Sequence, residues 1–115
     1  MAKETTYTGA ALTARIDGLA GWTEDAGALR RLYVTDGWPT TLMLVNLIGF
    51  YAEAADHHPD LAVSWGKVEV RLNTHSAGGI TDKDIELARV IEANALWRPH
   101  GGALTGTGRK WVSPG

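Results

Sequence analysis

His57 and His58 stand side by side in this 115-residue chain, four and five positions after Glu53 and directly before Pro59. Histidine is the side chain whose ordinary pKa lies nearest neutrality, so paired imidazoles beside a carboxylate are equipped to move protons. On a continuing helix the four-residue step puts Glu53 and His57 on one face, where the carboxylate would orient the imidazole and favour its charged form. His75 and Asp84 follow downstream. Three chemistries fit these residues. The histidines could be solvated helix-end residues, with Glu53 in water and Asp84 merely capping a helix. They could hold zinc, since three histidines and a carboxylate suit that ion. Adjacent histidines rarely suit a compact tetrahedral site, however, and neither HExxH nor HxH spacing is present. The third chemistry is metal-free acid–base catalysis, one imidazole giving a proton and another taking one.

Bringing these residues together requires particular elements around them. Segments 61–65 and 67–74 read as two strands joined at Gly66, the second alternating Val68, Val70 and Leu72 with Glu69, Arg71 and Asn73. An antiparallel hairpin returns the chain to its starting end. His58, before the first strand, and His75, after the second, therefore become neighbours at one rim. A helix over 40–56 precedes the hairpin, with Pro39 at its start and Pro59 disfavouring helical geometry at His58. Leu42, Val45, Gly49 and Ala52 line one side of it, and Leu44, Ile48, Tyr51 and Ala55 another. A helix apolar on two sides is normally buried on two sides, which in so small a protein points to a second subunit.

The remaining segments complete an α-β-β-α-β-β-α order. A short helix over 9–18 stops at glycine, and a short strand over 21–27 enters a turn. A strand over 29–34 follows, ended by Asp36-Gly37. The last helix starts at Thr81, with Asp84 three residues on, and buries Ile85, Ala88, Ile91 and Ala95 before Pro99. From residue 100 onward the composition turns glycine-rich, the signature of a loose tail that Trp111 and Val112 could pin to the body.

Composition sets outer bounds. The length fits one domain with a modest core. A net charge of -2 gives no footprint for nucleic acid or an anionic membrane. The absence of cysteine excludes disulfides, a thiolate zinc site and a cysteine nucleophile. Neither a secretory signal nor a bilayer-spanning run is visible, the longest apolar stretch (42–50) being short and broken by Asn46. A soluble, cytoplasmic protein is expected.

The full pattern Glu53-x3-His57-His58-Pro59-x5-Trp65-x9-His75-x8-Asp84 resembles the motif of the pterin-4a-carbinolamine dehydratases, also called 4a-hydroxytetrahydrobiopterin dehydratases. A weaker similarity extends from Gly21-Trp22 to Ala88. The resemblance implies an α+β fold, a four-stranded antiparallel sheet with three helices on one face. It would occupy residues 1–99, with 100–115 as a glycine-rich extension. It implies dehydration of a 4a-hydroxytetrahydropterin to quinonoid dihydropterin, which recycles the pterin. No cofactor or metal is implied, the pterin being substrate. His57, His58 and His75 would be catalytic. Glu53 would orient His57, and Asp84 would support the His75 side of the pocket. Asn73 and Thr74, through their backbone groups, would contact the pterin with Asp56, Pro59 and Trp22, although Trp22 serves equally well as core filler. Ala77 and Lys83 stand where some relatives carry Cys and Arg, so contacts to the pterin side chain stay open. A homodimer or homotetramer is expected, and the tail could dock a protein partner. Relatives on this fold also act without catalysis, in transcription-factor dimerisation or Rubisco assembly. Those assembly types tend to lose the histidines that this chain keeps.

Overall fold

A computed structural model describes residues 4–109 and 111–113. The chain runs α1 (Gly9–Arg15), β1 (Thr23–Asp25), β2 (Ala28–Thr35), α2 (Trp38–Ala55), β3 (Asp60–Ser64), β4 (Lys67–Leu72), a 3₁₀ turn at His75–Ala77, α3 (Asp82–Ala95) and β5 (Val112–Ser113). The fold is α+β. β1 to β4 form an antiparallel sheet in the order β1-β2-β4-β3, and β5 adds a fifth strand beside β2.

Alternation decides which sheet face is dry. Val68, Val70 and Leu72 of β4 are buried beside Leu29 and Tyr33 of β2, while the intervening Glu69 and Arg71 face the other way. Leu12 of α1, Leu44, Ile48 and Ala52 of α2, and Ile85, Ala88 and Ile91 of α3 join the same core. The opposite face carries ion pairs, Arg30 with Glu69 at 2.7 Å and Arg71 with Asp25 at 2.8 Å.

One inward position of β2 is charged. Arg31 is buried, and its guanidinium meets Glu92 of α3 at 3.1 Å; Glu92 also accepts from the Tyr33 hydroxyl at 2.6 Å and from the Trp22 indole at 2.8 Å. The Arg31 guanidinium fills the place of a side chain at Gly21, where a Cβ would lie 2.6 Å from Arg31 Cζ, and Gly21 also has a φ of +88°. Glycine alone satisfies both constraints.

α2 is apolar on more sides than one chain covers. Leu44, Ile48 and Ala52 are buried, but Trp38, Leu42, Met43 and Phe50 are exposed, Phe50 by 68%. The helix closes with the Asp56 and His57 amides both donating back to Ala52, and Asp56 itself is left-handed at φ 52°. This is a Schellman-type stop with aspartate in the place glycine usually takes.

The C-terminal extension returns to the body. The Asp36 amide donates to the Trp111 carbonyl, Arg98 donates to the Val112 carbonyl, and Arg109 pairs with Asp36 at 2.7 Å. Val112 is buried, so the anchor residues named from sequence do meet the sheet. Among the described residues, no helix is long and apolar enough to cross a membrane.

Candidate active site

The β3–β4 register sets the site. Asp60 lies opposite Arg71 and Leu61 opposite Val70, so the residues before β3 and after β4 flank one end of the hairpin. There a cleft of about 320 Å³ is lined by Asp56, His57, His58, Asn73, Thr74, His75, Ser76 and Lys83. All three histidines expected from sequence face this one space. A more apolar groove of about 400 Å³ between α2 and α3 adjoins it, sharing His57 and Lys83.

Each adjacent histidine has its own carboxylate, but the pairing differs from the helical expectation. His57 Nε2 lies 2.6 Å from Asp84 Oδ1, and His58 Nε2 lies 2.8 Å from Glu53 Oε1. Glu53 therefore meets His58 and not His57, while Asp84 meets His57 on one oxygen and, on the other, Thr74, the residue directly before His75. The cause is Asp56. Its left-handed backbone ends the helix before His57, so the i,i+4 relation that would have joined Glu53 to His57 no longer holds. The two pairs also differ in solvation. Asp84 is fully buried, whereas Glu53 is 82% exposed. A buried, hydrogen-bonded carboxylate holds its partner far more firmly than a solvated one.

Asp84 is bonded on both oxygens. Oδ1 meets His57, and Oδ2 accepts from the Thr74 hydroxyl at 2.9 Å and from the Thr81 amide at 2.8 Å. The Thr81–Asp84 capping box of α3 is therefore complete, with aspartate in the position usually held by Glu or Gln. His75 opens the 3₁₀ turn and is exposed, and its ring has no hydrogen-bond partner among the described residues. Lys83 pairs with Glu4 at 2.8 Å; that carboxylate, with Asp56 and Asp84 nearby, holds the ammonium above its usual pKa.

Other expected contacts sort differently. Asn73 and Asp56 line the cleft. Pro59 is half-buried between His58 and β3 and is outside the lining. Thr74 lines the cleft, but its backbone is committed: its amide donates to Gly79, and its carbonyl accepts from Ala77 and Gly78. Its contribution is the hydroxyl, which spacing alone does not reveal. Trp22 is a core residue, 3% exposed, edge-on to Tyr33 at 6.4 Å and outside the cleft lining. Ser76 and Lys83 line the cleft without having been singled out as contacts. Among the described residues, no three His, Asp or Glu side chains converge so as to hold a metal ion.

The chain is thus an α+β sheet with a histidine-lined cleft at the end of its β3–β4 hairpin. Residues 5–94 match the family model described as pterin 4 alpha carbinolamine dehydratase. Relatives bearing that family's name include one from Aquifex aeolicus, 47% identical over 77 residues, which cover 67% of this chain and 78% of the relative. Another, from Mycobacteroides abscessus, is 43% identical over 81 residues, covering 70% and 86% of the two chains. A crystal structure of a transcriptional coactivator/pterin dehydratase from Brucella melitensis superposes with a TM-score of 0.74 at 30% identity, covering 79% of this chain and 99% of that one. The chain belongs to the pterin-4a-carbinolamine dehydratase family.

Proposed function

We propose that this protein dehydrates a 4a-hydroxytetrahydropterin to the quinonoid dihydropterin by histidine acid–base catalysis. The observation that carries this reading is the convergence of His57, His58 and His75 on one cleft, two of them on separate carboxylates. The reaction protonates the 4a-hydroxyl so that it leaves as water, and removes a proton from a ring nitrogen. Imidazoles are suited to both transfers near neutral pH. His57 and His58 serve the hydroxyl side, and the unencumbered ring of His75 takes the second transfer or holds the substrate. Asn73 and Asp56 offer polar edges to a flat heterocycle. No metal or cofactor is required, the pterin being consumed.

The test is direct. Purified protein, without added metal, accelerates loss of the 4a-carbinolamine over the uncatalysed rate. No acceleration by folded protein would overturn the assignment.

A second role rests on a separate observation, the exposed apolar side of α2 at Trp38, Leu42, Met43 and Phe50. That surface supports self-association into a dimer or tetramer, or a non-catalytic binding role of the kind named for the Brucella melitensis protein.

A further inference from the structure

The hydroxyl of Thr74 is buried between two groups that already have other partners. Thr81 Oγ1 accepts from the Lys83 amide at 3.2 Å and lies 2.7 Å from Thr74 Oγ1, which in turn lies 2.9 Å from Asp84 Oδ2. A threonine hydroxyl has one hydrogen to give. A carboxylate only accepts, so Thr74 spends its hydrogen on Asp84, and the Thr81 hydroxyl donates to Thr74. The order of donation is then fixed from the Lys83 amide through Thr81 and Thr74 to Asp84 Oδ2. The Thr81 amide, donating to the same Oδ2 at 2.8 Å, adds a second fixed bond. Two donors from different directions, one on the β4 exit and one at the start of α3, leave the carboxylate no freedom to rotate. Its other oxygen is thereby aimed at His57 Nε2, 2.6 Å away. With a carboxylate on that side, the shared hydrogen belongs to Nε2.

We propose that Thr74 is a positioning residue, whose hydroxyl locks Asp84 so that His57 is held as the Nε2–H tautomer and exchanges protons through Nδ1. The part of this proposal that concerns turnover rests on the dehydratase reading; the tautomer does not. The α3 capping box therefore has two outputs. One side of Asp84 starts the helix, and the other sets the proton on a candidate catalytic imidazole.

The experiment is ¹⁵N–¹H correlation NMR on protein labelled at histidine, combined with steady-state kinetics. In the unaltered protein at a pH where His57 is neutral, its ring is expected almost wholly as Nε2–H; a dominant Nδ1–H form overturns the proposal without any mutation. Thr74→Val, which keeps the shape and removes the hydroxyl, is expected to give a mixture of tautomers and a kcat about tenfold or more lower, with KM little changed. Thr74→Ser restores both. Asp84→Asn, turning an amide N–H toward His57, is expected to reverse the tautomer to Nδ1–H. An unchanged His57 tautomer in folded Thr74→Val sinks the positioning role of Thr74, whatever Asp84→Asn does, and an unchanged ring in Asp84→Asn sinks the Asp84–His57 part of the proposal as well. If the tautomer shifts as stated but the unaltered protein turns over no carbinolamine, the dehydratase reading fails and the positioning of His57 stands.

Discussion

At the scale of single residues, the two adjacent histidines are held in unlike ways. His57 sits against a fully buried aspartate, and His58 against a glutamate that is largely in water. An exposed ion pair contributes on the order of 0.2–1 kcal/mol, so Glu53→Gln is expected to lower the dehydratase rate only a few-fold. The imidazoles are another matter. General acid–base groups contribute roughly 10²–10⁴-fold, and His58→Ala and His75→Ala are each expected to cost at least about a hundredfold in rate. Both rings lie at the surface of the cleft, so circular dichroism and thermal melting should report an intact fold in each variant. Full activity in the double variant, measured at saturating substrate, would remove His58 and His75 from the mechanism.

At the scale of elements, the backbone at Asp56 separates what the sequence discloses from what it hides. The alternation of Val68, Val70 and Leu72 foretells β4, and Pro59 foretells the end of α2 to within a residue or two. That His58 and His75 share a rim follows from the hairpin alone. The pairing of carboxylates with imidazoles does not, because a single left-handed residue redirects the chain and leaves no periodic trace. Arg31 is equally illegible, an inward charge whose partner Glu92 lies 61 positions away. The same is true of Trp22, whose indole proton goes to that glutamate instead of facing a ligand. Left-handed geometry costs an ordinary L-residue about 1–2 kcal/mol, which aspartate and glycine partly escape. Asp56→Val is therefore expected to destabilise the protein by at least about 1 kcal/mol in denaturant titration, while Asp56→Gly keeps the cap. A related site is the β1–β2 turn, where Ala26 at φ 49° precedes Gly27 at φ 79° between the paired Asp25 and Ala28. Two-residue hairpin turns with both φ values positive favour Asn-Gly. Ala26→Asn should raise stability by about 0.5–1 kcal/mol, and no gain in the unfolding midpoint would argue against strain at Ala26.

At the scale of the whole molecule, one feature bears on stability and another on the proposed self-association. Burial pushes the Glu92 carboxyl upward, but donors from Arg31, Tyr33 and Trp22 outweigh it and hold the group below its ordinary pKa. A depressed folded pKa contributes stability that is present above the unfolded value, about 4.3, and is lost as pH falls through the lower folded value. Acid unfolding should therefore steepen below about pH 4.3, and Glu92→Gln should flatten that limb while destabilising the protein at neutral pH, because Arg31 loses its charged partner. The other feature is the outer side of α2. Trp38, Leu42, Met43 and Phe50 are exposed on a helix whose inner side already fills the core. Apolar groups gathered on one surface gain by leaving water, at roughly 25 cal/mol per Å² buried. Self-association through α2 would satisfy that surface without disturbing the histidine cleft, which Trp38, Leu42, Met43 and Phe50 do not line. Light scattering is expected to give a solution mass at least twice the 12.3 kDa of one chain. Met43→Glu with Phe50→Glu should bring that mass down toward a monomer, since burying two carboxylates in an apolar contact is far more costly than leaving them in water. A wild-type protein that stays monomeric at high concentration would refute the assembly, and a doubly substituted protein of unchanged mass would move the interface away from α2.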